Sequence, residues 1–372
     1  MKLFIGLMSG TSMDGIDVAL VDVATNTFIQ GVTCPYSEQA RRMIEEGLSA
    51  KHGPGFYSQL NTVLGREFAA AVLHLLDTTK IKAQNVIAIG SHGQTLCHDT
   101  TESIPYTVQL GCAHTIAELT GITVVADFRT RDMVAGGQGA PFAPIYHQAI
   151  FKDQGYPLAV VNVGGIANLS YLVNDTDVIG YDLGPGNCLM DSWIFEHHNQ
   201  AYDKNGDWAA SGTVIPALLD NLLKDNYFQK PYPKSIGKEY FSRAWLWQYM
   251  TENYSATDVQ ATLLQLTARS IVAGITILPD YPSHLLLCGG GAHNLALLRA
   301  LSQLLPNIFV NSTQAFDINP DFVEAQMFAW LAEKTLDFTP LDLRMITGAK
   351  YPAILGAIYP AGLTREIRLR CN

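Results

Sequence analysis

A chain of 372 residues, 48% hydrophobic and only 16% charged, is long enough for about two domains and too apolar for disorder. Its net charge of -10 and isoelectric point near 5.4 argue against a nucleic-acid or anionic-membrane surface, so an anionic ligand must be held by local groups. Six scattered cysteines without a C-x-x-C pair point to free thiols in a reducing cytoplasm and away from zinc, and no run has the length of a membrane span or the make of a signal peptide.

The apolar runs 3–8 and 16–23 have strand length and β-branched content, and they bracket Ser9-Gly10-Thr11-Ser12-Met13-Asp14-Gly15. The spacing predicts a β-hairpin. Its turn could offer bare backbone N–H groups and hydroxyls to a phosphate, or serve turn geometry alone. Asp14 and Asp17 would repel phosphate, so a divalent cation such as Mg²⁺, held through water, is expected between them. Helices are predicted over 39–48 and 57–76 from three- and four-residue apolar spacing. The strand 86–90 runs into Ser91-His92-Gly93-Gln94-Thr95, a polar tail at a strand's carboxyl end, where ligands gather in open α/β sheets. His92 is a candidate base or donor there, although a histidine so placed more often satisfies neighbouring backbone.

Strand 106–110, helix 113–119 and strand 122–126 lead to Asp127-Phe128-Arg129-Thr130-Arg131-Asp132, polar at a strand's end. The two guanidinium forks suit a ligand carboxylate or phosphate, or pair internally with Asp127 and Asp132. The run Gly136-Gly137-Gln138-Gly139-Ala140-Pro141 reads as a hinge, and the domain boundary is placed there, at 133/134. The opening pattern then returns over 158–173, with Gly164-Gly165 in the turn. This repetition predicts two halves of similar make, each presenting a hairpin turn to a nucleotide's phosphates.

Strand 178–181 ends at Asp182-Leu183-Gly184-Pro185-Gly186-Asn187. Asp182 is the carboxylate best placed to face a ligand, its bland alternative being a turn or cap residue. Leu189 stands where a dinucleotide fingerprint needs its third glycine, which disfavours a nicotinamide site. A helix is expected over 189–197. Residues 198–250 are aromatic-rich and irregular, and Gly237-Lys238-Glu239 lacks the Ser or Thr of a P-loop. A helix over 258–278, capped by Asp258, precedes strand 284–288, the turn Gly289-Gly290-Gly291-Ala292-His293-Asn294 and helix 295–305. Asn319 and Asp321 open a last helix that contains Glu324 and runs to about 336.

Eight blocks in order, at 6–17, 91–95, 127–129, 136–141, 162–168, 182–187, 258–263 and 288–294, resemble the anhydro-N-acetylmuramic acid kinase family over nearly the whole chain. The resemblance implies an α/β protein of two actin/hexokinase-like (ribonuclease H-like) domains with an interdomain active-site cleft. The expected lobes are 1–133 with a return at about 345–372, and 134–344. It implies a kinase that uses ATP, Mg²⁺ and water to open the 1,6-anhydro bridge of 1,6-anhydro-N-acetylmuramic acid and phosphorylate O6, in cytoplasmic peptidoglycan recycling.

By that similarity Asp182 is the catalytic base. Gly10, Thr11, Ser12, Met13, Asp14, Gly15, Ile16 and Asp17 hold phosphates, with Asp14 and Asp17 reaching the metal through water. Gly164, Gly165, Asn168, Gly289, Gly290, Gly291 and Asn294 serve the nucleotide. Arg131, Gln138, Glu324 and His92 are carried over as sugar contacts. The partners implied are the sugar and ATP, with no nucleic acid and no membrane, and a homodimer is left open. The rival readings are an ATP-driven conformational switch and a hydrolase using Ser12, whose closing glycine is one residue too far for a nucleophile elbow.

Overall fold

The structure is a computed structural model that describes residues 1–362 apart from 11–14, 50, 233, 238–239 and 251–252. The chain divides into two compact units, Met1–Phe142 together with the chain from Phe322 on, and Ala143–Asp321. The crossing therefore follows the glycine run instead of preceding it, and the return comes at Phe322, well before 345. Both differences have a packing cause. The glycine run is fastened into the first unit by Asp132 and Thr347, and the helix Val323–Leu336 packs on that unit's sheet.

The first unit is built on strands β1 (Leu3–Ser9), β2 (Ile16–Asp22), β3 (Thr27–Cys34), β4 (Ala88–Asp99), β5 (Tyr106–Leu110) and β6 (Val124–Ala126). Its sheet runs β12-β6-β4-β1-β2-β3 with β5 paired to β4, where β12 is Ala357–Tyr359. The β1–β2 pair is the predicted antiparallel hairpin, with Leu3 opposite Asp22 and Met8 opposite Asp17. Helices Glu38–Leu48 and Pro54–Thr79 cover one face through Leu60, Leu64, Phe68 and Val72. Each such fully buried side chain contributes about 1.5–3 kcal/mol.

Helix Val323–Leu336 lies so close to the sheet that a Cβ on Gly6 would stand 1.7 Å from the Ala325 carbonyl oxygen, and one on Gly90 1.8 Å from that of Phe328. Any larger residue at either glycine would push the helix away. That contact is long-range, which is why reading along the chain left the helix outside this unit.

The second unit repeats the plan with β7 (Leu158–Val163), β8 (Ile166–Leu172), β9 (Val178–Pro185), β10 (His284–Cys288) and β11 (Phe309–Ser312), ordered β11-β10-β7-β8-β9. In both sheets the first three strands form an antiparallel meander and the next strand joins the first in parallel. This shared order is the ribonuclease H-like plan. Helix Ala256–Thr276 packs under β9, and it starts earlier than expected, with Ser255 at the N-cap position; the Asp258 carboxylate instead accepts from the Thr213 N–H at 2.7 Å. The stretch read as irregular holds short helices Asp207–Ser211, Pro216–Leu222 and Arg243–Trp247 around a core of its own, with Trp193, Tyr227, Phe241 and Trp245 buried.

Three local expectations change. Residues 91–95 are not a tail beyond the strand but the middle of β4, since Ser91 pairs with Leu7 and Gln94 with both Ser9 and Leu110. Residues 128–134 form a helix, entered through Asp127 at φ 59°. β9 continues through Asp182 to Pro185, with a bulge opposite Ala167 and Asn168. No described helix is long and apolar enough to cross a membrane, and none of the five described cysteines forms a disulfide.

Candidate active site

Asp182 sits in β9 opposite Asn168 of β8, just before the bulge, where an extra residue re-aims a side chain. The Asn168 amide donates to its Oδ1, and the Ile236 backbone N–H donates to Oδ2 at 2.8 Å. Its own backbone is gripped as well: its N–H donates to the Lys234 carbonyl at 2.9 Å, and its carbonyl accepts from the Tyr227 hydroxyl at 2.8 Å. Burial pushes the carboxyl up to about 6, partly countered by Ile236, Asn168 and the charge of Lys234. The residue remains partly exposed. A carboxylate of that basicity with one donor per oxygen keeps lone pairs for a proton from water.

Three turns of the second unit meet just beyond the end of β9. The Gly164 and Gly165 carbonyls accept the N–H groups of Asn187 (2.8 Å), Gly186 (2.9 Å) and Cys188 (3.2 Å), which ties the β7–β8 turn to the end of β9. Gly289, at φ 73°, passes so close to β7 that a Cβ would lie 2.3 Å from the Asn162 Oδ1. Gly290 is exposed, and among the described residues only the Asn187 amide nitrogen would come within 4 Å of an added Cβ. Bare backbone and an amide donor at an open glycine turn are what a nucleotide's polar edge requires. Two residues expected to touch nucleotide carry structural duties in the fold: the Asn168 amide is bound to Asp182, and the Asn294 Oδ1 accepts from the Leu297 N–H as the N-cap of helix Leu295–Leu304.

In the first unit Thr11, Ser12, Met13 and Asp14 lie outside the described residues. Gly10, Gly15, Ile16 and Asp17 flank them. Gln94 anchors the base of this turn, accepting from the Ser9 hydroxyl at 2.7 Å and donating to the Gly10 carbonyl at 3.3 Å, while the Tyr36 hydroxyl donates to Ser9. Asp17 accepts from the Thr33 hydroxyl at 2.7 Å through Oδ1. No group of three His, Cys, Asp or Glu side chains gathers as a metal site among the described residues. Mg²⁺ bound chiefly by phosphate oxygens and water needs only one or two carboxylates, and Asp17 at the mouth of the hairpin fits that demand.

The residues carried over as sugar contacts separate into two kinds. On the helix Phe128–Val134, positions 129 and 131 point to different faces. Arg131 is exposed, and Gln138 is exposed on the glycine run, its N–H held by the Thr347 carbonyl at 2.9 Å. His92 is buried, and its Nε2 accepts from Arg129 Nε at 3.0 Å, so the ring is neutral. Burial and then the charge of Arg129 hold its pKa well below the ordinary value.

Arg129 also donates to the Gly139 carbonyl at 2.7 Å, and burial brings its pKa down to about 10. Glu324 in the first turn of its helix is raised by burial, lowered by Arg129 and raised again by Asp17. The more sheltered cation of this region is thus Arg129, half-buried where Arg131 is exposed. Only the helical phase of 128–134 could have distinguished it from Arg131. Asp132 holds the same loop, accepting from the Gly139 N–H at 2.7 Å and the Thr347 hydroxyl at 2.8 Å.

A family profile described as anhydro-N-acetylmuramic acid kinase matches residues 2–361. A protein of Legionella pneumophila (strain Paris) bearing that name is 54% identical over 361 residues, covering 97% of this chain and 99% of its own. One of Aliivibrio fischeri with the same name is 43% identical over 366 residues, covering 97% of this chain and all of its own. Among solved structures, component A of the (R)-2-hydroxyglutaryl-CoA dehydratase of Acidaminococcus fermentans aligns with TM-score 0.50 at 10% identity, over 89% of this chain and 97% of that one, a likeness of fold alone. The chain belongs to the anhydro-N-acetylmuramic acid kinase family and is a kinase of actin/hexokinase-like fold.

Proposed function

We propose that the protein converts 1,6-anhydro-N-acetylmuramic acid, ATP and water to N-acetylmuramic acid 6-phosphate and ADP, as a step of peptidoglycan recycling in the cytoplasm. The observation that carries this reading is Asp182, a partly exposed carboxylate with one donor on each oxygen and a basicity raised to about 6. It takes a proton from water as that water attacks the anomeric carbon, the work of the base in an inverting glycosidase.

The bond from the anomeric carbon to O6 breaks, and its electron pair goes to O6. That oxygen attacks the γ-phosphorus and ADP departs, so the negative charge passes to phosphate and no partner acid is needed. The proton on Asp182 returns to solvent. Gly10 to Asp17 and the glycine turns at 164–165 and 289–291 receive the nucleotide. Arg131, Gln138 and Glu324 contact the sugar, with His92 and Arg129 behind them. Mg²⁺, held by Asp14 and Asp17 through water, would neutralise the phosphate oxygens.

The test is incubation with Mg·ATP, the anhydro sugar and ¹⁸O-labelled water. The expected product carries label at the anomeric hydroxyl and phosphate on the same molecule. Label in the phosphate, or ADP formed equally fast without sugar, would overturn the reading.

A further inference from the structure

The segment 225–249 has no role in the chemistry above, yet it supplies most of what holds Asp182. Its centre is Asp225, which is buried and accepts hydrogen bonds from the Trp245 indole N–H (2.8 Å), the Tyr227 backbone N–H (2.8 Å), the Tyr240 hydroxyl (3.0 Å) and the Tyr249 hydroxyl (3.1 Å). Four donors from four residues knot the segment around one charge. Two residues on, Tyr227 is clasped from both sides. Its hydroxyl reaches the Asp182 carbonyl, while the Lys234 ammonium lies 4.7 Å from its ring centre and donates to its carbonyl at 3.2 Å. The chain then returns so that the Lys234 carbonyl and the Ile236 N–H bind the Asp182 backbone and carboxylate.

We propose that Asp225 and Lys234 are positioning residues of the reaction: the knot at Asp225 and the Lys234–Tyr227 clasp hold Tyr227, Lys234 and Ile236 in the one arrangement that grips Asp182 and aims its carboxylate. This deepens the assignment of Asp182 as base and rests on it. Neither residue touches substrate. The grip is made by backbone groups and a tyrosine hydroxyl, which carry no recognisable sequence signature. Asp225 and Lys234 keep those groups in register, and Lys234 also places a positive charge near the carboxylate.

The titratable groups facing Asp182 are Lys234 and Tyr227, and Lys230 acts in turn on Lys234. β8 contributes the neutral Asn168. The helix Ala256–Thr276 brings the neutral Ser270 and Thr267 to the end of β9.

The experiment follows the protonation midpoint of Asp182 in the full chain by pH-difference infrared spectroscopy, with Asp182→Asn variants subtracted to isolate its carboxyl band. Lys234→Met is expected to raise the midpoint by about one unit, since a nearby opposite charge is removed, and Lys234→Arg to restore it. Asp225→Asn is expected to raise it in the same direction by loosening the Ile236 bond. With the anhydro sugar, each disruptive variant should lower kcat by roughly tenfold, as a misaimed base would, and leave KM for ATP unchanged. An unmoved midpoint in Lys234→Met, or kcat and KM for ATP disturbed together, would overturn the proposal. The Lys234 pair decides this even if Asp225→Asn fails to fold. Absence of sugar-dependent turnover in the wild type, with the midpoints moving as described, would sink the substrate assignment and leave the positioning role standing.

Discussion

Asp182 and Asp225 are carboxylates on either side of the same aromatic segment, and their environments push them in opposite directions. Asp182 has two donors on its carboxylate and is raised to about 6 by burial. Burial also acts to raise Asp225, but the bonds from Trp245, Tyr227, Tyr240 and Tyr249 outweigh it and hold the group below the ordinary value. Burial alone therefore does not make a base. What separates a reactive carboxylate from a structural one is the number of donors committed to it: a saturated carboxylate is a stable anion, and an under-coordinated one still seeks a proton.

The sharpest break of this comparison is removal of the basic oxygen. Asp182→Asn should cut kcat by roughly 10²–10⁴-fold, measured as sugar-dependent ADP release, whereas Asp225→Asn should cost far less activity. The order reverses for stability. Asp225→Asn puts an amide donor among four donors and should cost about 2–3 kcal/mol in the denaturation midpoint at neutral pH.

Because the folded-state pKa of Asp225 is depressed, its contribution is present above the unfolded value and is lost as pH falls through the folded one. The gap between wild type and Asp225→Asn should therefore narrow below about pH 4. For Asp182 the sign is opposite. With its folded pKa raised, ionisation costs stability as pH rises from about 4 through 6, so Asp182→Asn, which carries a fixed cost for facing its amide to the Asn168 or Ile236 donor, should gain on wild type over that range and keep a constant difference below pH 4. A melting series over pH tests both signs at once.

The smallest effect comes from trimming one donor. Asn168→Ala should raise the acid limb of kcat/KM by about half a unit to one unit above its wild-type position near 6, since a bond to the charged form is lost.

Much of the plan was legible in order along the chain. The hairpins at β1–β2 and β7–β8 follow from alternating apolar runs broken by glycine, and their repetition announced two units of one design. Asp182 was marked by its place near a strand's end among glycines. Less legible was anything set by helical phase or by strands continuing through polar residues. Arg131 and Arg129 are equivalent on paper, yet the turn of 128–134 half-buries the second against His92 and leaves the first outside. The stretch 91–95 read as a polar tail beyond the strand because its side chains are hydrophilic, whereas its backbone is claimed by Leu7, Ser9 and Leu110.

The amino-acid order by itself determined the two hairpins, the duplicated design and the family, and it singled out Asp182 as the candidate carboxylate, because these depend on local spacing and on motifs a few residues long. Only the tertiary structure decided which unit owns the helix Val323–Leu336 and which arginine packs against His92. It alone revealed that an aromatic stretch far along the chain grips Asp182. Those outcomes turn on hydrogen bonds and close contacts between residues tens to hundreds of positions apart, and a buried donor takes whichever acceptor the packing brings within about 3 Å.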